Sequence, residues 1–120
     1  MSIDALFDKK YSKHYTCANF VKDALLHLTG FDFSDQLKGF LLPVGNIEIL
    51  AACKNNFELI KCPQNNALVV MRRANNPPHV GVWYNNKVLH LSEFSGVQYQ
   101  PLEIAALGFT KTRFYLCKKN

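Results

Sequence analysis

From Cys17 onward the apolar positions Phe20, Val21, Ala24, Leu25 and Leu28 recur three and four residues apart, which predicts an amphipathic helix. Thr16 suits the N-cap, because its side chain can serve the unpaired N–H groups of a first turn, and Gly30 is placed as the C-terminal stop. Ser34 to Leu42 is predicted as a shorter helix halted by Pro43. Asn46 can cap a third, through Ile47, Ile49, Leu50 and Ala51 to Lys54. After Asn56 the period changes. FELIKC, ALVVMRR, HVGVWY, KVLHLS, GVQYQP and RFYLCKK are short β-branched or aromatic runs separated by Asn, Pro and Gly, and each predicts a strand. IAALG has room for one helical turn between the last two. Helices first and an antiparallel meander afterwards predict an α+β domain with the helices on one face of the sheet.

The run HVGVWYNNKVLHLSE carries the most positional information. Asn tolerates the positive φ of a two-residue hairpin turn, so Asn85-Asn86 predicts a turn with Tyr84 opposite Lys87. Gly81 then falls opposite His90, and His79 opposite Ser92. Alternation puts His79, Gly81, Trp83, Val88, His90 and Ser92 on one face, and Val80, Val82, Tyr84, Leu89 and Leu91 on a core face. His79 and His90 become diagonal neighbours, with no side chain at Gly81 between them.

Length and composition narrow the class. The 120 residues fit one domain, 1–120, and the hydrophobic fraction of 48% with 19% charged residues is that of a globular protein. No apolar run reaches the length of a membrane span, and MSIDALFDKKYSKHY lacks the layout of a signal peptide, so the expected site of synthesis is the cytoplasm. The net charge of +5 is spread over Lys9-Lys10, Arg72-Arg73 and Lys118-Lys119 without aromatic platforms, an argument against nucleic acid as a partner. Cys17, Cys53, Cys62 and Cys117 form no C-x-x-C pair, so neither a metal site nor a redox pair is expected. Cys53, Cys62 and Cys117 read as small buried hydrophobes.

Cys17 differs from these three because it opens a helix. Free N–H groups and the helix dipole at that position favour a thiolate, and a neighbouring imidazole can take its proton. Cys17 as nucleophile, His79 as base and His90 as the group that orients the base make a set for acyl transfer through a thioester, with no cofactor required. The same N–H groups can hold the oxyanion, with the Tyr15 hydroxyl as a further donor. His14 is expected at the rim and His27 on the helix surface.

Tyr15-Thr16-Cys17 followed by HVGVWYNNKVLH resembles the NlpC/P60 family of papain-like cysteine peptidases. CANFVKDALLHLTGFD, ALVVMRR and GVQYQPL with FYLC are similar to small NlpC/P60-like proteins of tailed phages and prophages, over most of the chain. The resemblance implies an NlpC/P60-type fold with N-terminal helices on a sheet of five to six antiparallel strands. It implies an endopeptidase or amidase acting on peptidoglycan stem peptides, with phage tail proteins as partners and the virion tail or the bacterial cell wall as its place of work. By position it gives Cys17, His79, His90 and Tyr15 the catalytic roles. Thr16 and Ala18 stand where the family keeps an Asp and a Ser that grip the substrate's free amine, and with Trp83 on the histidine face they are the expected substrate-binding residues. Asn66-Ala67 stands for the family's G-D pair. These departures leave the amide that is cut open. Two other readings stand beside this one. One is a papain-like acyltransferase on a lipid or small-molecule acyl group, with Phe31, Phe33, Phe40 and Leu41 as its groove. The other is a catalytically inactive phage tail assembly component.

Overall fold

In the computed structural model, which describes residues 2–41, 56–74 and 76–118, the chain is an α+β domain built on a six-stranded antiparallel sheet. After a 3-10 turn at Asp4–Leu6 come α1 (Cys17–Thr29) and α2 (Ser34–Leu41). The strands are β1 (Phe57–Ile60), β2 (Leu68–Arg72), β3 (His79–Tyr84), β4 (Lys87–Ser92), β5 (Gly96–Gln100) and β6 (Lys111–Cys117), with a one-turn helix α3 (Leu102–Ala105) before β6. All six predicted strands form. The predicted helix from Asn46 to Lys54, together with Pro43 and Cys53, lies outside the described residues.

The predicted meander holds only for part of the sheet. Its order is β1-β6-β2-β3-β4-β5, so the C-terminal strand enters between the first two. Among the described residues, edge strand β1 pairs with β6 alone, from Phe57↔Cys117 to Ile60↔Phe114. α2 is tied to this edge by polar bonds: the buried Gln36 amide donates to the Lys118 carbonyl at 2.9 Å, and Asn56 donates back to the Gln36 carbonyl at 3.4 Å.

Both faces of the sheet are covered, which corrects the expectation that helices sit on one side only. On the first face Phe20, Val21, Ala24 and Leu25 of α1 pack with Leu37 of α2 onto Leu68, Val70, Val80, Val82, Leu89 and Leu91. On the second face Val69, Met71, Trp83 and Val88 are roofed by Ala105 of α3, with Leu102, Ala106 and Phe109 beside it. Strand β2, LVVM, is therefore apolar at successive positions, as a strand buried on both sides must be. Each large side chain fully removed from water contributes about 1.5–3 kcal/mol, and Phe20, Leu25, Leu68 and Leu89 are all at or below 1% exposure.

Two local devices fix the placement of the candidate site. Helix α1 begins at the predicted cap, with Asn19 Oδ1 accepting from the Thr16 N–H at 2.9 Å and from the Thr16 hydroxyl at 3.0 Å. It ends at Gly30, whose φ of 76° is the left-handed conformation that glycine adopts without a Cβ penalty. The hairpin turn has φ of 46° at Asn85 and 67° at Asn86, and the predicted pairs Tyr84↔Lys87, Trp83↔Val88 and Val82↔Leu89 follow from it.

Candidate active site

The N–H groups of Cys17 and Ala18, in the first turn of α1, have no acceptor within the helix. Both favour a thiolate at Cys17, and the N–H of Val80 acts with them from the sheet. The place of Val80 follows from the strand pattern. Along β3 the N–H of Trp83 goes to the Ala67 carbonyl on the β2 side at 2.8 Å, so N–H groups at even positions point toward β4. The β3–β4 ladder stops at Val82↔Leu89, and the next N–H on that side, that of Val80, is one of the groups that favour the thiolate of Cys17. The N-terminus of α1 thus docks where β3 and β4 cease to pair.

The histidines meet one step further along. His79 Nε2 and His90 Nδ1 are 2.8 Å apart, with the ring planes at 79°. Gly81 makes the approach possible: a Cβ there would stand 3.0 Å from His90 Cβ, from the Leu89 carbonyl oxygen and from Val88 Cγ1. The other nitrogen of His90, Nε2, lies 2.9 Å from Gln100 Oε1 on β5. Phe109, ahead of β6, stacks on the outer side of His79 with centroids 5.8 Å apart, and the Arg73 guanidinium lies 5.9 Å over the Phe109 ring. His90 is buried and His79 half-buried.

Burial decides the charge state. It pushes the Cys17 thiol above its ordinary value of 9.0, and the three N–H groups that favour the thiolate work against it without reversing it. It lowers His79 to about 4, with the charge of His90 adding to the effect. His90 is also lowered by burial, opposed by its bond to Gln100. The expectation that helix terminus and imidazole would hold a standing thiolate is thereby corrected: burial favours the thiol at Cys17 and the neutral ring at both His79 and His90.

Several of the remaining candidates are placed differently from the expectation. The Tyr15 hydroxyl donates to the Asp23 carboxylate at 2.6 Å, so its proton is committed to the flank of α1 and is not free for an oxyanion. Ala18 is 4% exposed and packs in the first core, where it cannot grip a substrate. Trp83, also expected to contact substrate, is 9% exposed in the second core and meets Phe114 edge to face, because α3 and the start of β6 close that face. Thr16 is half-buried and serves as the cap. His14 is exposed, as expected at a rim, whereas Cys62, expected to be buried, is exposed. Phe33 is core and Phe31 packs beside it, with ring centroids 4.5 Å apart, so these two line no open groove.

One residue that the sequence analysis does not single out belongs to the site. Gln100 holds His90. The signal for Gln100 was present: in GVQYQ the glutamines alternate with Val97 and Tyr99, which marks them for the face opposite the first core. No group of three or more His, Cys, Asp and Glu arranged to hold a metal ion occurs among the described residues. No helix among them is long and apolar enough to cross a membrane.

No protein-family model matches the chain. No curated protein matches it either.

Proposed function

We propose that the chain is a cysteine hydrolase of amide bonds, of the NlpC/P60 papain-like type, acting on peptidoglycan stem peptides. The observation that carries this reading is the histidine pair joined at 2.8 Å, whose His79 opens β3, together with Cys17 at a helix N-terminus influenced by the N–H of the next β3 residue, Val80. The wall peptide as substrate, and a setting on a phage tail or at the cell wall, rest on the resemblance of the YTC and HVGVWYNNKVLH segments.

In this reading His79 Nε2 is occupied by His90, which leaves Nδ1 to receive a proton. Because burial disfavours both thiolate and imidazolium, the proton leaves Cys17 as the sulfur attacks, not beforehand. Sγ bonds to the carbonyl carbon, and the thiol proton passes to His79. The developing oxyanion is held by the N–H groups of Cys17 and Ala18. Collapse expels the amine, which takes its proton from His79, and leaves an acyl thioester on Cys17. Water then attacks, giving its proton to His79, and the thiol is released with the carboxylic acid.

The test is release of new amines from purified peptidoglycan or a synthetic stem peptide by wild type and by Cys17→Ala. Release by wild type alone supports the proposal, and equal release by both overturns it. One group of observations favours a second reading, an inactive tail assembly component: the Tyr15 hydroxyl is engaged, Ala18 is buried and the thiol is raised. That reading requires wild type to release nothing from any wall preparation.

A further inference from the structure

Behind His90 a chain of polar contacts runs along β5 with a fixed direction. Gln98 and Gln100 lie on the histidine face, Gln98 opposite His90 and Gln100 opposite Val88. Gln98 Nε2 donates to the Ser95 carbonyl at 2.8 Å, and Gln100 Nε2 donates to Gln98 Oε1 at 3.5 Å. Gln100 Oε1 is then the atom left for His90 Nε2, at 2.9 Å.

A main-chain carbonyl only accepts hydrogen bonds, and this fact propagates. Ser95 requires the amide nitrogen of Gln98, so Gln98 turns its oxygen to Gln100. Gln100 must answer with its nitrogen, and so turns its oxygen to His90. His90 therefore carries its proton on Nε2. A neutral ring protonated there has its lone pair on Nδ1, which accepts the Nε2 proton of His79. The lone pair of His79 is left on Nδ1.

We propose that Gln100, oriented by Gln98, is a positioning residue that fixes the tautomers of both histidines and places the basic nitrogen of the pair at His79 Nδ1. This rests on the reading of His79 as the base. The amide suits the task because it accepts a bond without a charge. A carboxylate at this position would hold a second proton on His90, whose Nδ1–H would then donate to His79 Nε2. His79 would carry its own proton on Nδ1 and have no lone pair there to offer. Facing His90 are His79 from β3 and the two neutral amides from β5. Glu103 of α3 is exposed, and among the groups that shift His90 there is no carboxylate or cation.

The test is nitrogen-15 correlation spectroscopy of the imidazole rings in the full chain at neutral pH. Wild type should show both histidines protonated on Nε2 alone. Gln100→Leu should give a mixture of tautomers, and Gln100→Glu a doubly protonated His90 with His79 protonated on Nδ1. If the peptide assay is positive, Gln100→Glu should lower kcat at least about tenfold with KM little changed, the pattern of a lost proton transfer. A wild-type His79 protonated on Nδ1, or tautomers unchanged in both variants, would overturn the proposal. Should Gln100→Leu fail to fold, the wild-type spectrum and the near-isosteric Gln100→Glu decide it. Tautomers as stated with no peptide cleaved would sustain the role of Gln100 while removing the hydrolase reading. Cleavage with the opposite tautomers would do the reverse.

Discussion

The main-chain N–H of Val80 is near enough to the sulfur of Cys17 to favour its thiolate, so the first residue of α1 lies close to the residue that follows His79. Neighbouring Cα atoms are about 3.8 Å apart, which places the backbone of His79 within one residue step of Val80. Two parts of the chain far apart in sequence thereby meet where a regular hairpin would have continued to pair with β4. The free end of the β3–β4 ladder is what admits the helix.

Raised by burial, Cys17 should react slowly with iodoacetamide near neutral pH and faster as pH climbs past 9. The exposed Cys62 should be alkylated before Cys17. Peptide mass spectrometry over a pH series measures both. A Cys17 already labelled faster than Cys62 at pH 7 would show that the N–H groups outweigh burial and that a thiolate stands at rest.

His79 sets a pH dependence of stability. Its folded value of about 4 lies below the ordinary 6.5, so between these limits the unfolded chain binds a proton that the native chain refuses. Stability is therefore full above 6.5 and falls as pH drops toward 4. The loss approaches about 3 kcal/mol at one pKa unit per 1.36 kcal/mol, and His90, lowered in the same direction, adds to it. Urea melts at several pH values give the slope, and His79→Asn should flatten it. A slope of opposite sign would mean that the pair is charged in the native state.

Gly81→Ala tests the close approach of the hairpin strands. The added methyl would sit 3.0 Å from the Leu89 carbonyl, which cannot move without disturbing the ladder, and 3.0 Å from His90 Cβ. Overpacking of this kind costs about 1–3 kcal/mol. The free energy of unfolding should fall by that amount, with a lower denaturation midpoint, and kcat/KM should fall further than stability explains, because His90 is displaced from His79. An unchanged midpoint would show that the strands have room to part.

Local signals in the sequence were sufficient for α1, its cap and its stop, for the Asn85-Asn86 turn and for all six strand segments. Each is set by neighbours a few residues apart. The histidine pair was legible for the same reason, since the turn alone dictates the register that brings His79 beside His90. The insertion of β6 between β1 and β2 was not legible, because pairing between distant strands leaves no periodic trace in either. Alternation assigned Trp83 to the histidine face correctly. It gave no sign that α3 and Phe114 would cover the ring, and so turned a core residue into an expected substrate contact. The state of Cys17 was misjudged in a related way. A helix N-terminus is visible in sequence, whereas the burial that outweighs it arises only when α1 docks on the sheet.

The central claim is that Cys17 becomes acylated by a wall peptide, and the most direct measurement is intact mass after rapid mixing with a synthetic stem peptide and acid quenching. The account predicts a transient mass increase equal to the acyl portion of the peptide, located on the Cys17-containing fragment, discharged by water on longer incubation and absent from Cys17→Ala. Cleavage of the peptide with no adduct at Cys17, undiminished in Cys17→Ala, would contradict it.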